Sequence, residues 1–432
     1  MNTAYEPRPL LKIDQKQLNK MIEKHIHFRT GKSGGSRAIL AYHDLTGLVL
    51  AGVDLAHCDL VGAKMESCDL HGAVLDGVSM FGADLRNANL RDCSLIKADL
   101  RGACLRGADL VNANMIGADL RDGTLAARDQ KGDLHIKRFD ASVTEMGGAN
   151  FAGANLTVAK LSAAVAIHTD FSDAVMTGCR LVRANLRGAV LDGAILQDAD
   201  LSGADFRDCS LKGAVLTGAQ MTLTEFGGAD MSGVLTDKPQ GKPLKDLEKP
   251  LDELIKEHEL FVKTHGLQGK ILDLAGFDLR LARGLTKSKL TGIKAAQAIF
   301  YEMDLSGIEL QGAILSRADF RLCTMRRADL RGANLNSAIL SKADLAYADL
   351  RPLMLDQSRM MNFSAVGANL RYVSFIEAKL SGANLRQADV SYANFSDADL
   401  RKVDFTGAKI TGARFERALL DDAIGLDHGE SS

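Results

Sequence analysis

The sequence predicts an all-β solenoid built from five-residue repeats, and three observations predict it. A large apolar side chain recurs at every fifth position through most of the chain, the residue two positions before it is small, and the composition lacks what a globular core uses. Among 432 residues there are 41 glycines, no tryptophan and only 5% aromatics, although 46% are apolar.

The period is the first element to justify. Every fifth residue from Leu45 to Leu125 is Leu or Met, and from Met146 to Met231, where Phe joins them, only Ala166 breaks the rule of a large apolar residue. From Leu305 to Leu420 only Ala365 breaks it. Five matches neither the 3.6-residue period of a helix nor the two-residue period of a strand. An extended chain would turn its side chains to the opposite face after five residues, so each repeat needs a corner that restores the inward direction. The small and the large apolar residue then point inward and the other three outward.

The stretches Ala83-Asp84-Leu85, Ala88-Asn89-Leu90, Ala184-Asn185-Leu186, Ala328-Asp329-Leu330 and Ala333-Asn334-Leu335 carry the motif A-[DN]-L-x-x. In this the chain resembles the pentapeptide-repeat family over roughly two thirds of its length. The resemblance implies a right-handed quadrilateral β-helix with four repeats, twenty residues, per coil. It also implies a filled axis, so that anything bound is bound on the outside.

In chain order, residues 1–40 read as an N-terminal helix and cap, and 41–236 as a first β-helix with an insertion at 126–145. Residues 237–250 read as a Pro- and Lys-rich linker, 251–266 as a second capping helix, 267–420 as a second β-helix that is degenerate at 267–300, and 421–432 as an acidic tail. The helices are predicted from apolar spacing. Leu18, Ile22, His25 and Phe28 align with Leu251, Ile255, His258 and Phe261, so the chain reads as duplicated, with each helix a lid on the first coil of its own rod. Met146 follows Leu125 by one residue more than a coil, and the intervening AARDQKGDLHIKRFDASVTE reads as an inserted coil or protruding loop. Around RPLMLDQSRMMNFSAVG, Pro352 and the bulky Phe363 predict an irregular coil with a widened corner.

Catalytic chemistry finds no foothold. Gly31-Lys32-Ser33 lacks the glycine of a phosphate loop, because Ile26 stands there. The cysteines show no paired metal spacing, and Cys58, Cys68, Cys93, Cys179, Cys209 and Cys323 replace alanine in the small position, as buried apolar side chains do. His25 and His27 read as packing at the helix-solenoid junction or as exposed. The many Asp residues recur at an outward repeat position, where they bond to nearby backbone. No cofactor or metal is expected, and the protein reads as no enzyme. With no apolar run long enough to span a bilayer and no signal-like start, it reads as cytoplasmic.

Two surface features stand out as recognition candidates. One is the inserted segment, with Arg128, Lys131, His135, Lys137 and Arg138; the other is an Arg column, in which twenty-residue stacking would align Arg331, Arg351 and Arg371 beside Asp329, Asp349 and Asn369. The expected function is a protein-binding scaffold with a protein partner; the sequence leaves the oligomeric state open, a homodimer included. The alternative comes from the family resemblance: some members imitate duplex DNA and bind type II topoisomerases such as gyrase. Net charge is −2, with no direct nucleic-acid or membrane partner expected. The segments 41–125, 146–236 and 301–420 sum to −5, −3 and +2, well below the density of a duplex.

Overall fold

The computed structural model describes residues 10–128, 134–138, 143–356 and 358–426, with 124–128 and 134–138 described by their backbone. The chain divides into two compact units, Met1–Lys238 and Pro239–Ser432.

Each repeat contributes one bridging residue, and successive coils stack these in parallel ladders twenty residues apart, as in Asp44, Lys64, Asp84 and Cys104. The ladder has a fixed wiring. Leu85 N–H donates forward to Cys104 O (2.7 Å), Asp84 N–H donates back to Ala63 O (2.9 Å), and Ala88 N–H closes the corner onto Leu85 O (3.1 Å). The corner needs a left-handed residue two places after the large one. Glycine supplies it at Gly82 and Gly188, whereas Asn87 (φ 56°) and His168 (φ 55°) adopt it without that freedom. A non-glycine side chain there leans over the next coil. The His168 ring covers Gly188, where a Cβ would come 2.4 Å from the ring, and Tyr392 covers Gly412 in the same way at 2.5 Å.

Inside, the large and small residues form one continuous core per unit, nearly all at 0–2% exposure. Identical side chains stack along the axis: Phe151 on Phe171 (centroids 5.1 Å), Phe300 on Phe320 (4.6 Å) and Phe375 on Phe395 (4.9 Å). The small position also accepts a weak donor. Sγ of Cys68, Cys93, Cys179, Cys209 and Cys323 each donates to the carbonyl 23 residues earlier, and Thr169 Oγ1 does the same to Met146 O (2.8 Å).

The first coil of the first unit is covered by a strand, a helix and a side-chain amide. Strand β1 (Leu11–Lys12) adds in parallel to β2 (His43–Asp44), and between them in sequence lies α1 (Gln15–Arg29). Helix α1 begins in a capping box, with Gln17 N–H donating to Asp14 Oδ1 (2.7 Å) and Asp14 N–H to Gln17 Oε1 (2.9 Å). The Gln15 amide stands in for a missing strand: it accepts from Val49 N–H (2.9 Å) and donates to Val49 O (2.8 Å). Arg29 reaches Asp54 at 3.3 Å, while Leu18 and Ile22 join the core.

The insertion after Leu120 is an antiparallel hairpin, β3 (Thr124–Arg128) with β4 (Leu134–Arg138), not an extra coil. Cys104 pairs directly with Glu145, so the wall closes beneath the hairpin and Met146 takes the interior place. Leu125, the expected last anchor of its tract, instead lies in β3 opposite Lys137.

In the second unit the stretch expected to be a linker is partly built into the fold. Strand β5 (Lys242–Pro243) precedes a 3-10 turn at Leu244–Asp246 and then α2 (Leu251–Lys263); β5 pairs in parallel with β6 (Phe277–Asp278). Helix α2 lays Leu251, Leu254 and Ile255 on the core. Stacking begins irregularly, with Asp273 opposite Lys294. The predicted widened corner near Pro352 is instead a small hairpin, β7 (Leu353–Met354) with β8 (Met360–Met361). Asn334 pairs with Ser364, so ten residues are extruded; Phe363 is buried at 2% in a small-residue position, while Leu355 and Met360, expected on the axis, are 52% and 55% exposed.

Candidate interaction surfaces

A filled axis leaves the exterior to carry any chemistry. The interior thiols are inert for a physical reason: burial pushes Cys68 up to about 11 and Cys93 up to about 12, which suppresses the thiolate. No group of His, Cys, Asp and Glu placed to hold a metal ion occurs among the described residues.

The outward Asp residues do structural work. Those at the bridging position before the large residue accept the backbone N–H two residues on, and where that residue is Arg the guanidinium folds back as a fork. Arg331 donates to Asp329 at 2.9 and 2.6 Å, Arg351 to Asp349 at 2.9 and 2.7 Å, and Arg207 to Asp205 at 2.9 and 2.6 Å. Burial pushes the Asp349 carboxyl up, but the Arg351 guanidinium and backbone N–H outweigh it and hold the group below the ordinary carboxylate range.

The expected Arg column is only partly assembled. Asp329 pairs with Asp349, which brings Arg331 and Arg351 together, but the extruded hairpin places Lys379 next and Asp399 after it. Arg401, not Arg371, therefore continues the column, and Arg351, Lys379 and Arg401 line a shallow cleft with Asp397 and Asp399. Arg371 stands on another side, where Asn369 pairs with Ile339. There it contacts Asp389 (3.4 Å) and lies over the stacked rings of Tyr372 and Tyr392 at 5.8 and 5.9 Å.

Of the other candidates, Arg128, His135, Lys137 and Arg138 fall in the β3–β4 hairpin, with Arg128 opposite Leu134 and His135 opposite Ala127. Lys131 lies outside the described residues.

Two surfaces were not foreseen from sequence. The β7–β8 hairpin exposes Met354 (59%), Leu355 (52%), Met360 (55%) and Met361 (40%) over the corner formed by Gly312 and Gly332. The run of apolar residues at fifth positions disguised it as wall. The second is the far end of each unit. Leu201 and Phe206 donate to Gln220 and Glu225 of the next coil, but Met221 and Phe226 belong to the last coil, where Met221 and Met231 are 38% and 37% exposed. In the second unit Ile410, Phe415 and Leu420 hold the corresponding, partly covered places.

The closed ends share one feature. His25 and His258 are both fully buried under their helices, and their Nδ1 atoms accept the backbone N–H of Ala38 (3.3 Å) and Leu272 (3.1 Å).

The wiring, the corners and the dry axis together define a repeat solenoid whose surface alone is available for recognition. The family description "Pentapeptide repeats" matches residues 44–81, 83–122, 144–235, 288–360 and 362–424, and the chain belongs to that family; its parallel ladders, with one bridging residue per repeat and twenty residues per coil, are those of a quadrilateral β-helix. No curated protein matches the sequence. Among solved structures, a trypsin-treated form of QnrB1, a plasmid-mediated fluoroquinolone resistance protein, is 17% identical, covering 54% of this chain and 98% of that one with a TM-score of 0.28. HetL, involved in heterocyst differentiation regulation in the cyanobacterium Nostoc sp. strain PCC 7120, is 21% identical, covering 94% and 97% with a TM-score of 0.15. A thylakoid-lumen pentapeptide repeat protein of Arabidopsis thaliana is 28% identical, covering 28% and 66% with a TM-score of 0.19.

Proposed function

We propose that this protein is a non-enzymatic scaffold that binds a protein partner through its outer walls and hairpins. The observation that carries this reading is the filled interior: the residues that would line a substrate cavity are stacked Leu, Phe, Met, Ala and Cys at 0–2% exposure. Recognition then falls to the exterior, where solenoids generally present it. The β3–β4 hairpin with Arg128, Lys131, His135, Lys137 and Arg138, and the Arg331–Arg351 column, are the proposed contact regions. The test is capture of a partner by the purified full chain, identified by mass spectrometry and repeated with recombinant partner. Absence of any binding partner for the full chain overturns the reading.

Mimicry of DNA toward a type II topoisomerase has its best support on one wall of the first unit. There, among the described residues, Asp69, Asp109, Asp170, Asp192 and Asp230 face Arg91 and Lys212 as the only lysine or arginine, with His71 beside Asp69. A duplex carries about one negative charge per 1.7 Å. Coils spaced about 4.8 Å apart, with at most one uncompensated carboxylate each, do not approach it. A gyrase supercoiling assay separates the two readings: inhibition at micromolar protein selects mimicry, and unchanged supercoiling removes it.

A further inference from the structure

We infer that helices α1 and α2 are acid-released lids, each latched to its first coil by one buried neutral histidine. The latch is a specific arrangement. His25 and His258 sit at matching positions of two otherwise diverged helices, LNKMIEKHIHFR and LDELIKEHELFV, and both are 0% exposed. In each, Nδ1 accepts a backbone N–H from the chain entering the first coil, at Ala38 and Leu272. The imidazole proton must then lie on Nε2, which is buried in both and, among the described residues, meets no acceptor in good hydrogen-bond geometry.

Protonation breaks this arrangement twice. A second proton occupies Nδ1, so two donors face one another at the joint, and a charge enters a site without solvent. The surroundings do little to hold that charge. Around His25, Asp54 of the first coil favours it, while Arg29 on the same helix and Arg37 on the following segment oppose it; around His258 the one charged neighbour among the described residues is Glu259 of its own helix. Burial dominates in both and lowers the imidazole below its ordinary 6.5, against a smaller favourable contribution from the backbone of Ala56 or Thr291.

The sign follows. The docked helix prefers the neutral ring and the released helix titrates normally, so the latch is complete above pH 6.5. It is lost as the pH falls from 6.5 through the lowered folded value. Leucine would fill the same volume without this dependence, yet both units carry histidine. What release uncovers is the first coil, including the Val49 N–H and C=O that Gln15 pairs.

Hydrogen exchange by mass spectrometry on the full chain, at pH 7.5, 6.0 and 5.0 with labelling times scaled for intrinsic exchange, tests this. Peptides from 15–29 and 251–263 are read against wall peptides from 181–216. The expected result is a loss of protection of about ten-fold in both helices between pH 7.5 and 5.0, with the wall unchanged. The double variant His25→Leu, His258→Leu should keep its helices protected throughout. Constant protection in the natural chain, or an equal loss in the leucine variant, overturns the inference. Should that variant fail to fold, imidazole NMR on the natural chain decides: the two rings should protonate together with the loss of helix protection, and rings that protonate under still-protected helices overturn it.

Discussion

The two cap helices close the same kind of coil with unequal means. Helix α1 has a side-chain capping box, an amide paired to the first coil's strand edge, an ion pair to Asp54 and a completely buried Leu18. Helix α2 starts at Pro250 without a side-chain cap, and its Leu251, Leu254 and Ile255 are only partly buried. Two residues join β1 to α1, but seven join β5 to α2, and this longer connection leaves a cleft of about 230 Å³ lined by Leu247, Leu254, Leu272 and Phe277. The histidine latch is nevertheless the same in both. A lid needs one well-placed contact to find its seat, and the remaining contacts set how tightly it stays there.

The comparison can be broken by substitution. Leu18→Ala should have the largest effect, destabilising the α1 lid by about 2–5 kcal/mol, whereas Leu251→Ala should cost well under half as much because the residue is already partly exposed. Exchange protection of each helix in native buffer measures both; equal losses would show that the two seats are alike. Asp14→Ala should remove about 1 kcal/mol from α1 alone, read in the same way. Gln15→Ala should cost a similar or smaller amount, about 0.5–1.5 kcal/mol, and should also raise exchange at Val49, which reports the strand edge directly. Lys249→Ala, which removes an exposed ion pair to Glu257, should leave α2 unchanged within error.

Much of the fold was legible because one residue type repeats in one phase. The dry axis, the small cysteine slots and the amphipathic helices each follow from a local pattern at a fixed spacing. The hairpins were unequally legible. The first adds 21 residues between Cys104 and Glu145 beyond a coil, which shifts the phase and marks the site. The second adds ten, a multiple of the repeat, and places Leu355 and Met360 where axis residues would fall, so the period runs through it unbroken. Pro352 and Phe363 marked a disturbance but not its size, and the error carried Arg371 onto the wrong wall. Helical spacing left His25 either at the junction or exposed; that it is buried there with its ring accepting the Ala38 N–H depends on a contact between segments that no pattern encodes.

Extrusion of the second hairpin has a geometric consequence. A coil is four sides, so ten residues absorbed into the wall would have turned every later side through half a revolution, carrying Asp399 and Arg401 to the opposite flank from Asp349 and Arg351. By looping out, the insertion keeps Asn334 above Ser364 and preserves the compass bearing of everything downstream. Deleting residues 352–361 joins Leu350-Arg351 to Asn362-Phe363-Ser364-Ala365, restores an uninterrupted five-residue count, and should leave cooperative unfolding unchanged by circular dichroism. Deleting only five of those residues should instead force the remainder to swivel or to strain. In this architecture length is tolerated in whole revolutions or in detours, and orientation is the quantity that the chain conserves.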